Sequence, residues 1–500
     1  MMKVLRSIFF VLVILMAVPF LLMHFGPSGV ATTSKVVLHA LVGYGGEEPS
    51  ENKIRQQLTV AEGFQLNLYV TGLGKIRFMH VTEAGDVLVS RPRSGEVLII
   101  KAGDGASPKA VKVLLNELTR PHGLDYVDGW LYIAESNAVG RVAFDVASGE
   151  VSGDYERLVT GLGDKGNHWT KTLRAGSDGW LYLSSGSTCN VCEEKDTQRA
   201  TIMRFKPDGS QLSVYASGLR NSVGMDWAPW SNELFATDNG RDLLGDDFPP
   251  CELNHIVEGG FYGWPYLNAG TPDPDYGDKL PDDLPANKVP AHEFNAHNAP
   301  LGIRFLKYNQ QAAYKRTALV ALHGSWNRSV PDGYKVVALH WQPDGTIIER
   351  DFVTGFLQNE NLLGRPVDVV EAQDGSIYIS DDYSGSIYRV TSAEGGSSSL
   401  TLANADKQTL ANNEDVLVGY DDEQRESLVK QGAQLYQQFN CTGCHQGSLE
   451  LVALTERYSV DSLMNFFSAP TPPMPAFPLN AEQREALSVY LFNQELREMK

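Results

Sequence analysis

DGWLYIAESNAVGRVAF, residues 128–144, sets a polar turn before a short apolar strand and a second polar turn after it. The same cycle returns as AGDVLVSRPRSGEVLII from Ala84, DGWLYLSSGS from Asp178, NELFATDNG from Asn232, TALVALHGSWNRS from Thr317 and DGSIYISDDYSGSIYRV from Asp374. The repeats are spaced by roughly 40–60 residues, with one longer gap around residues 265–316, and that is the length of a four-stranded propeller blade. Each blade has two apolar faces that it cannot bury alone, so blades stack around an axis and leave only short edges. A β-sandwich pair would give turn signals every roughly 8–12 residues without a repeated blade-length unit. The pattern predicts a six-bladed β-propeller over residues 55–393, in a mainly β chain.

At 500 residues the chain is too long for one core, since single cores stop growing at roughly 250–300 residues. Its 42% hydrophobic and 21% charged residues are ordinary globular usage. A formal net charge of −19 argues against a nucleic-acid partner, because binding phosphates needs a basic surface. Five cysteines are too few for a disulfide-built scaffold. Residues 1–26 place Lys3 and Arg6 before an apolar run from Ile8 to about Met23, the charge order of an export signal. The run fits either an uncleaved anchor or a cleaved signal, and both put the body outside the cytoplasm. The expected location is the periplasm, at the inner membrane where the anchor is kept.

Residues 394–423 are small and polar with scattered acids, as linkers are. Beyond them, ESLVKQGAQLYQQF, VDSLMNFF and NAEQREALSVYLFNQEL carry apolar residues at helical spacing, the last opened by Asn480 as an N-cap. The tail, residues 424–500, therefore reads as a small all-α domain. Within it, FNCTGCHQG at 439–447 contains C-x-x-C-H, the pattern for covalent haem attachment through Cys441 and Cys444 with His445 under the iron. Met474, in TPPMPAFP, stands on a proline-stiffened loop and suits the second axial position, where a thioether raises the potential. A zinc site would want four ligands, and the tail offers no further Cys or His. This tail resembles the class I cytochromes c, which implies one haem c and an electron-carrying role.

A one-electron carrier implies an electron source upstream, and GLGDKG does not fit a dinucleotide fingerprint. Three stretches place His, Arg, Asn and acids in turns: GNHWTKTLRAGSDGWLYLSSGS, GLRNSVGMDWAPWSNELFATDNGRD and ELNHIVEGGFYGWPY. With the later ALHGSWNRSVPDGYKVVAL and GRPVDVVEAQDGSIYISDDYSGSIYRV, they resemble the pyrroloquinoline quinone (PQQ) dependent aldose dehydrogenases, and more closely their sorbosone dehydrogenase branch. The resemblance implies a six-bladed propeller that oxidises an aldose or related sugar aldehyde or lactol at C1, with PQQ and Ca2+ as cofactors. It implies His168 as proton acceptor, with Asn167 beside it where the glucose enzymes carry an aspartate. Arg220 and Asn221 in GLRNS would contact the quinone oxygens, and a fixed guanidinium there stabilises the negative charge that hydride arrival brings. Gly240 and Arg241 match the calcium loop, although Arg241 replaces a proline of the glucose enzymes.

Because PQQ carries three carboxylates, further cations should line its site. The candidates are Arg365, Lys335 and Arg328, then Arg77, His323 and, as a covering ring, Trp326. Cys189 and Cys192 in STCNVCEE read as a local disulfide and Cys251 as a buried thiol. Expected partners are the sugar, a soluble cytochrome or membrane oxidase as electron acceptor, and the membrane through the N-terminal segment. Two other readings of the propeller are a calcium-dependent lactonase-type hydrolase, which needs carboxylates converging on the metal, and a non-catalytic binding module.

Overall fold

The computed structural model describes residues 50–103, 107–358, 361–393, 422–439 and 477–498, together with a few positions of the tail between them. They fall into two compact units that divide between Ala403 and Asn404. In the first unit, six sheets follow one another along the chain, antiparallel throughout their first four strands. We number them blades 1 to 6, from their innermost strands Met79–Val81, Leu124–Val127, Lys171–Ala175, Ser222–Trp227, Pro300–Phe305 and Pro366–Glu371. Each innermost strand touches the next, and that of blade 6 touches that of blade 1, which makes the ring. Closure comes from the N-terminal side of the unit: Phe64–Val70 is the outermost strand of blade 6 and pairs with Ser386–Ser392. The repeats read from sequence supply the second strand of every blade, from Val87–Arg91 to Ile377–Asp381.

Strand alternation explains how the blades stack. In blade 1, Leu88, Val97 and Ile99 pack against Leu124, Ile133 and Phe144 of blade 2. Val87, Val89, Leu98 and Ile100 point the other way, onto Val370, Tyr378 and Ile387 of blade 6. Equivalent cores lie between blades 2 and 3, 3 and 4, 4 and 5, and 5 and 6. Truncating one of their fully buried rings, Phe205 for example, leaves a cavity at a cost of about 3–5 kcal/mol. Cys251 is buried in the core between blades 4 and 5, and burial pushes its thiol up to about 11.

The axis itself is filled. Phe78, Val223, Leu301 and Val367, from four different blades, form one apolar cluster. A charged layer runs around the same strands. Asp125 pairs with His80 at 3.3 Å, and Asp226 lies 3.7 Å from Arg174 and 3.5 Å from Arg304. Three acids of this layer also staple neighbouring blades through backbone N–H groups: Asp125 accepts from Ala175, Asp226 from Phe305 and Asp368 from Met79, at 2.7–2.8 Å.

In the second unit, the helices Asp422–Gln438 and Ala481–Glu498 pack on each other around Leu435, Leu487, Val489 and Phe492. Gly432 permits the approach, since a Cβ there would meet Ala486 O at 2.1 Å. Asn480 caps the second helix as expected: its side chain accepts from Gln483 N at 2.8 Å, and Gln483 Oε1 accepts from Asn480 N at 3.0 Å, a reciprocal capping box. Val460, Leu463 and Phe467 also join this core. The N-terminal segment 1–26, nearly all of the linker 394–423, and Cys444, His445 and Met474 lie outside the described residues; Cys441 is half-buried. Among the described residues no helix is long and apolar enough to cross a membrane.

Candidate active site

Antiparallel pairing brings the entry to each innermost strand and the loop after each second strand to one face of the ring. A cavity of about 270 Å³ lies on that face. Lys75 and Arg77 enter it ahead of blade 1, Trp169 and Thr170 ahead of blade 3, and Arg365 ahead of blade 6. Loops after the second strands add Pro92 and Arg93 from blade 1, His323 from blade 5, and Asp382 and Tyr383 from blade 6.

The electrostatics are lopsided. Lys75, Arg77, Arg93 and Arg365 face a single carboxylate, Asp382. Burial would raise that carboxyl, but His323 and Arg77 hold it far below the usual range through contacts of 2.9 and 2.8 Å. Burial pushes the His323 imidazole down to about 4, so it is neutral near pH 7. The lining then carries a net charge near +3, matching the three carboxylates of PQQ. Arg365 is itself anchored, donating from Nε to His323 O at 3.0 Å and from Nη2 to Gly324 O at 2.8 Å. Trp169 offers a flat wall, stacked on its other side by the Arg120 guanidinium 4.8 Å from the ring centroid. The donor set of this cavity suits a tricarboxylate.

Of the sequence candidates for this lining, Arg365, Arg77 and His323 are here, while Lys335, Arg328 and Trp326 are not. Lys335 pairs with Asp351 at 2.7 Å on the outer strands of blade 5. Arg328 donates to Ala296 O and Asp247 and so ties the loops of blades 4 and 5 together. Trp326 stands 41% exposed. The tryptophan that lines the cavity is Trp169, next to His168 in GNHWT. Lys75, Arg93 and Asp382 went unread; KIRF at 75–78 and SDD at 380–382 held the only signal, charge at a strand boundary.

His168 sits beside this lining, with its imidazole held by Ser187 rather than by Asn167. Its Nδ1 lies 2.8 Å from Ser187 Oγ, and Ser187 Oγ donates to Cys189 O at 2.7 Å. The serine has one hydrogen to give, so it accepts from Nδ1–H, and Nε2 keeps its lone pair. Asn167 instead donates its backbone N–H to Thr188 O. Burial, then the charges of Arg220 and Arg199, hold the His168 pKa well below the ordinary value. It is a neutral acceptor across the physiological range.

Arg220 is 3% exposed. Its guanidinium donates to Asn190 O, Asn190 Oδ1, Asn239 O and Asp242 Oδ2 at 2.7–3.1 Å. Asn221 donates its backbone N–H to Asp238, and its own side-chain Oδ1 is buried without a partner, facing Gly186. A buried amide oxygen in that state wants a donor from a ligand.

At the expected calcium loop, carbonyls crowd Gly240: a Cβ would lie 2.5 Å from Pro250 O and 3.2 Å from Pro249 O. The Arg241 side chain is buried and bound to Asp273 and Asp275. Both acids are engaged by the one guanidinium, so a calcium ion beside Gly240 would take backbone carbonyls and would meet the fixed charge of Arg241. Among the described residues, the one trio of His, Cys, Asp or Glu ligand atoms close enough to share a metal is Cys189, Cys192 and Glu194, and the two cysteines form a disulfide. Among the described residues, no three carboxylates lie close enough to one another to share a metal.

Comparison with known proteins agrees with the propeller fold. The family model described as TrAA12-like matches residues 58–249 and 278–393. An uncharacterized protein of Borreliella burgdorferi is 31% identical, over 68% of this chain and 92% of its own. A pyrroloquinoline quinone-dependent pyranose dehydrogenase of Coprinopsis cinerea is 27% identical over 69% of this chain, which spans only 56% of that relative's length. The holo form of the PQQ domain of the Coprinopsis cinerea pyranose dehydrogenase shares the fold, with a TM-score of 0.57, 22% identity, and coverage of 67% of this chain and 97% of that one.

Proposed function

Because the chain belongs to the TrAA12-like family, we propose that its propeller is a PQQ-dependent dehydrogenase that oxidises an aldose or a related sugar aldehyde or lactol at C1. The observation that carries this reading is the cavity: four basic side chains against one carboxylate, in a protein whose overall charge is −19. Lys75, Arg77, Arg93 and Arg365 would hold the carboxylates of PQQ, and Trp169 would cover one ring face and exclude water. When bound, the quinone supplies the two-electron acceptor for the hydrogen that leaves the sugar carbon.

The chain's own residues do the rest. His168 accepts the hydroxyl proton at Nε2, the nitrogen left free by its bond to Ser187. A neutral imidazole is competent for this near pH 7, and such positioned proton transfer contributes roughly 10²–10⁴-fold. Arg220, immobilised by its four bonds, one of them to Asp242, would supply a fixed cation beside His168, so no reorganisation is needed at the moment of reaction. Asp382 keeps Arg77 aligned and limits the positive charge of the lining.

We further propose that the helical unit is a cytochrome c. Cys441 and Cys444 would hold the haem covalently, and His445 and Met474 would ligate its iron. The support is the C-x-x-C-H spacing and the independent core around the two long helices. Haem supplies a one-electron acceptor, from which a soluble cytochrome or a membrane oxidase would be served. In this reading the protein is periplasmic and held at the inner membrane by residues 1–26.

The test is reconstitution. Apo-protein given PQQ and a panel of aldoses and lactols is expected to bleach a redox dye, and His168→Ala to lower kcat by roughly 10²-fold or more. Absence of quinone-dependent turnover with every sugar, in protein that binds PQQ, sinks the reading.

A further inference from the structure

We propose that the Cys189–Cys192 disulfide is an openable clamp that positions both His168 and Arg220, so that reducing it switches sugar oxidation down. The proposal rests on the reading of those two residues given above.

The clamp is the loop after the second strand of blade 3, Leu181–Ser185. One end of it orients the imidazole: Cys189 O takes the Ser187 hydroxyl hydrogen at 2.7 Å, and this obliges Ser187 to accept from His168 Nδ1. The middle of it seats the guanidinium: Asn190 receives Arg220 Nε on its backbone carbonyl at 2.9 Å and Nη2 on its side chain at 2.8 Å. Asn190 is fixed in turn by Trp264 Nε1, at 3.2 Å from its carbonyl, and by two bonds with the backbone of Asp242. The two residues assigned to proton and charge handling are thus held by consecutive residues, and the disulfide closes around that pair.

A four-residue ring of this kind removes little freedom from the unfolded chain compared with a long loop. Its effect is local. Thr188 has its own anchor, since its N–H and its hydroxyl both bind Glu194. Opening the bond therefore removes the covalent restraint on Cys189, whose carbonyl takes the Ser187 hydrogen, and leaves Asn190 to its hydrogen bonds alone, while the start of the loop stays in place. Both cysteines are half-buried, within reach of a small reductant. The exchange balances as a two-electron step. A dithiol attacks one sulfur and then closes on itself, so its two thiols become a disulfide while Cys189 and Cys192 each gain a hydrogen.

The experiment treats the folded full-length protein with dithiothreitol, caps the freed thiols and confirms by mass that both were labelled. Two readouts follow. In apo-protein labelled with 15N-histidine, the Nδ1–H signal that disappears in His168→Asn is expected to weaken or shift on reduction. In PQQ-loaded protein, kcat is expected to fall by roughly 10²-fold, the scale of a 1 Å misplacement, with KM changed far less. An unchanged His168 signal together with unchanged kcat overturns the proposal. If reduction unfolds the protein, Ser187→Ala and Asn190→Ala keep the bond and carry the test; each should lower kcat in protein that stays folded, with a melting temperature lowered by a few degrees in Asn190→Ala for its lost side-chain bonds, and full activity in both overturns it. Untreated protein that shows no quinone-dependent turnover refutes the functional reading instead, and the histidine signal still decides the clamp.

Discussion

Arg365→Gln tests the cavity most directly. The arginine contributes one of four cations and is the one most firmly placed, through His323 O, Gly324 O and its backbone bond to Asp381. Glutamine keeps much of the length and one donor group but no charge. A hydrogen bond to a charged group contributes about 1.5–3 kcal/mol net, which converts to a Kd for PQQ roughly 10- to 150-fold higher. The gross Coulomb attraction, about 4 kcal/mol at 4 Å in a medium of effective dielectric 20, sets an upper bound. Two carbonyls also lose a donor between them, so the melting point should drop by a few degrees, in keeping with about 1 kcal/mol per bond.

The assay is quenching of tryptophan fluorescence as PQQ is titrated into apo-protein, with Trp169 as the reporter in the cavity wall. Run at low and high salt, it separates charge from shape. Wild-type affinity should fall as salt rises, and the Arg365→Gln curve should be the flatter of the two. A Kd within about twofold of wild type in folded protein, less than half a kcal/mol, would refute the assignment of this cavity to an anionic cofactor.

Gly186→Ala should act through geometry alone: the new Cβ would lie 2.5 Å from the His168 Cβ and 2.7 Å from Asn221 Oδ1, and a roughly 10²-fold fall in kcat/KM is expected. Normal kinetics in that variant would count against His168. On the axis, burial lifts Asp368 to about 6, so in the folded state it holds its proton to higher pH than in the unfolded chain. The stability linked to it is present below pH 4 and lost as pH rises through 6, by about 3 kcal/mol. Chemical denaturation of Asp368→Asn should therefore show it gaining on wild type by up to that amount between pH 4 and 8; a constant difference would contradict the assignment. In the tail, Cys444→Ala should abolish the haem stain that survives denaturing electrophoresis, and a surviving stain would remove the C-x-x-C-H assignment.

The repeats that announce the fold are those whose physics is local. A second strand of a blade is flanked by Asp-Gly turns and buried on both faces, so its apolar run is continuous in sequence. Innermost strands were harder to read, because Asp125, Arg174, Asp226, Arg304 and Asp368 interrupt their apolar patterns with charges that find partners only on neighbouring blades. The closing strand Phe64–Val70 could not be assigned to blade 6 from its own residues, since its partner lies at Ser386–Ser392. The site shows the same division. Arg365, Arg77 and His323 stand next to strand boundaries on the face where loops converge, and were legible. Lys335 and Arg328 stand at similar boundaries, but Asp351 and Asp247 neutralise them, and neither acid is near them in sequence.

How one strand serves both the cavity and the axial seal is a question of register. Residues three apart on a regular strand point to opposite faces, yet Val223 and Asp226, Leu301 and Arg304, and Arg365 and Asp368 each supply one residue near the site face and one to the charged layer. The innermost ladders of blades 4, 5 and 6 are irregular at just these places, between Ser222 and Met225, Pro300 and Ile303, and Pro366 and Asp368. An extra residue in a bulge restores the lost half-period, so that both members of a pair turn toward the axis. Removing the bulge would therefore cost more than a hydrogen bond. In blade 6 it would turn either Arg365 away from the cavity or Asp368 away from Met79, so cofactor affinity and ring closure would be lost through the same residue step.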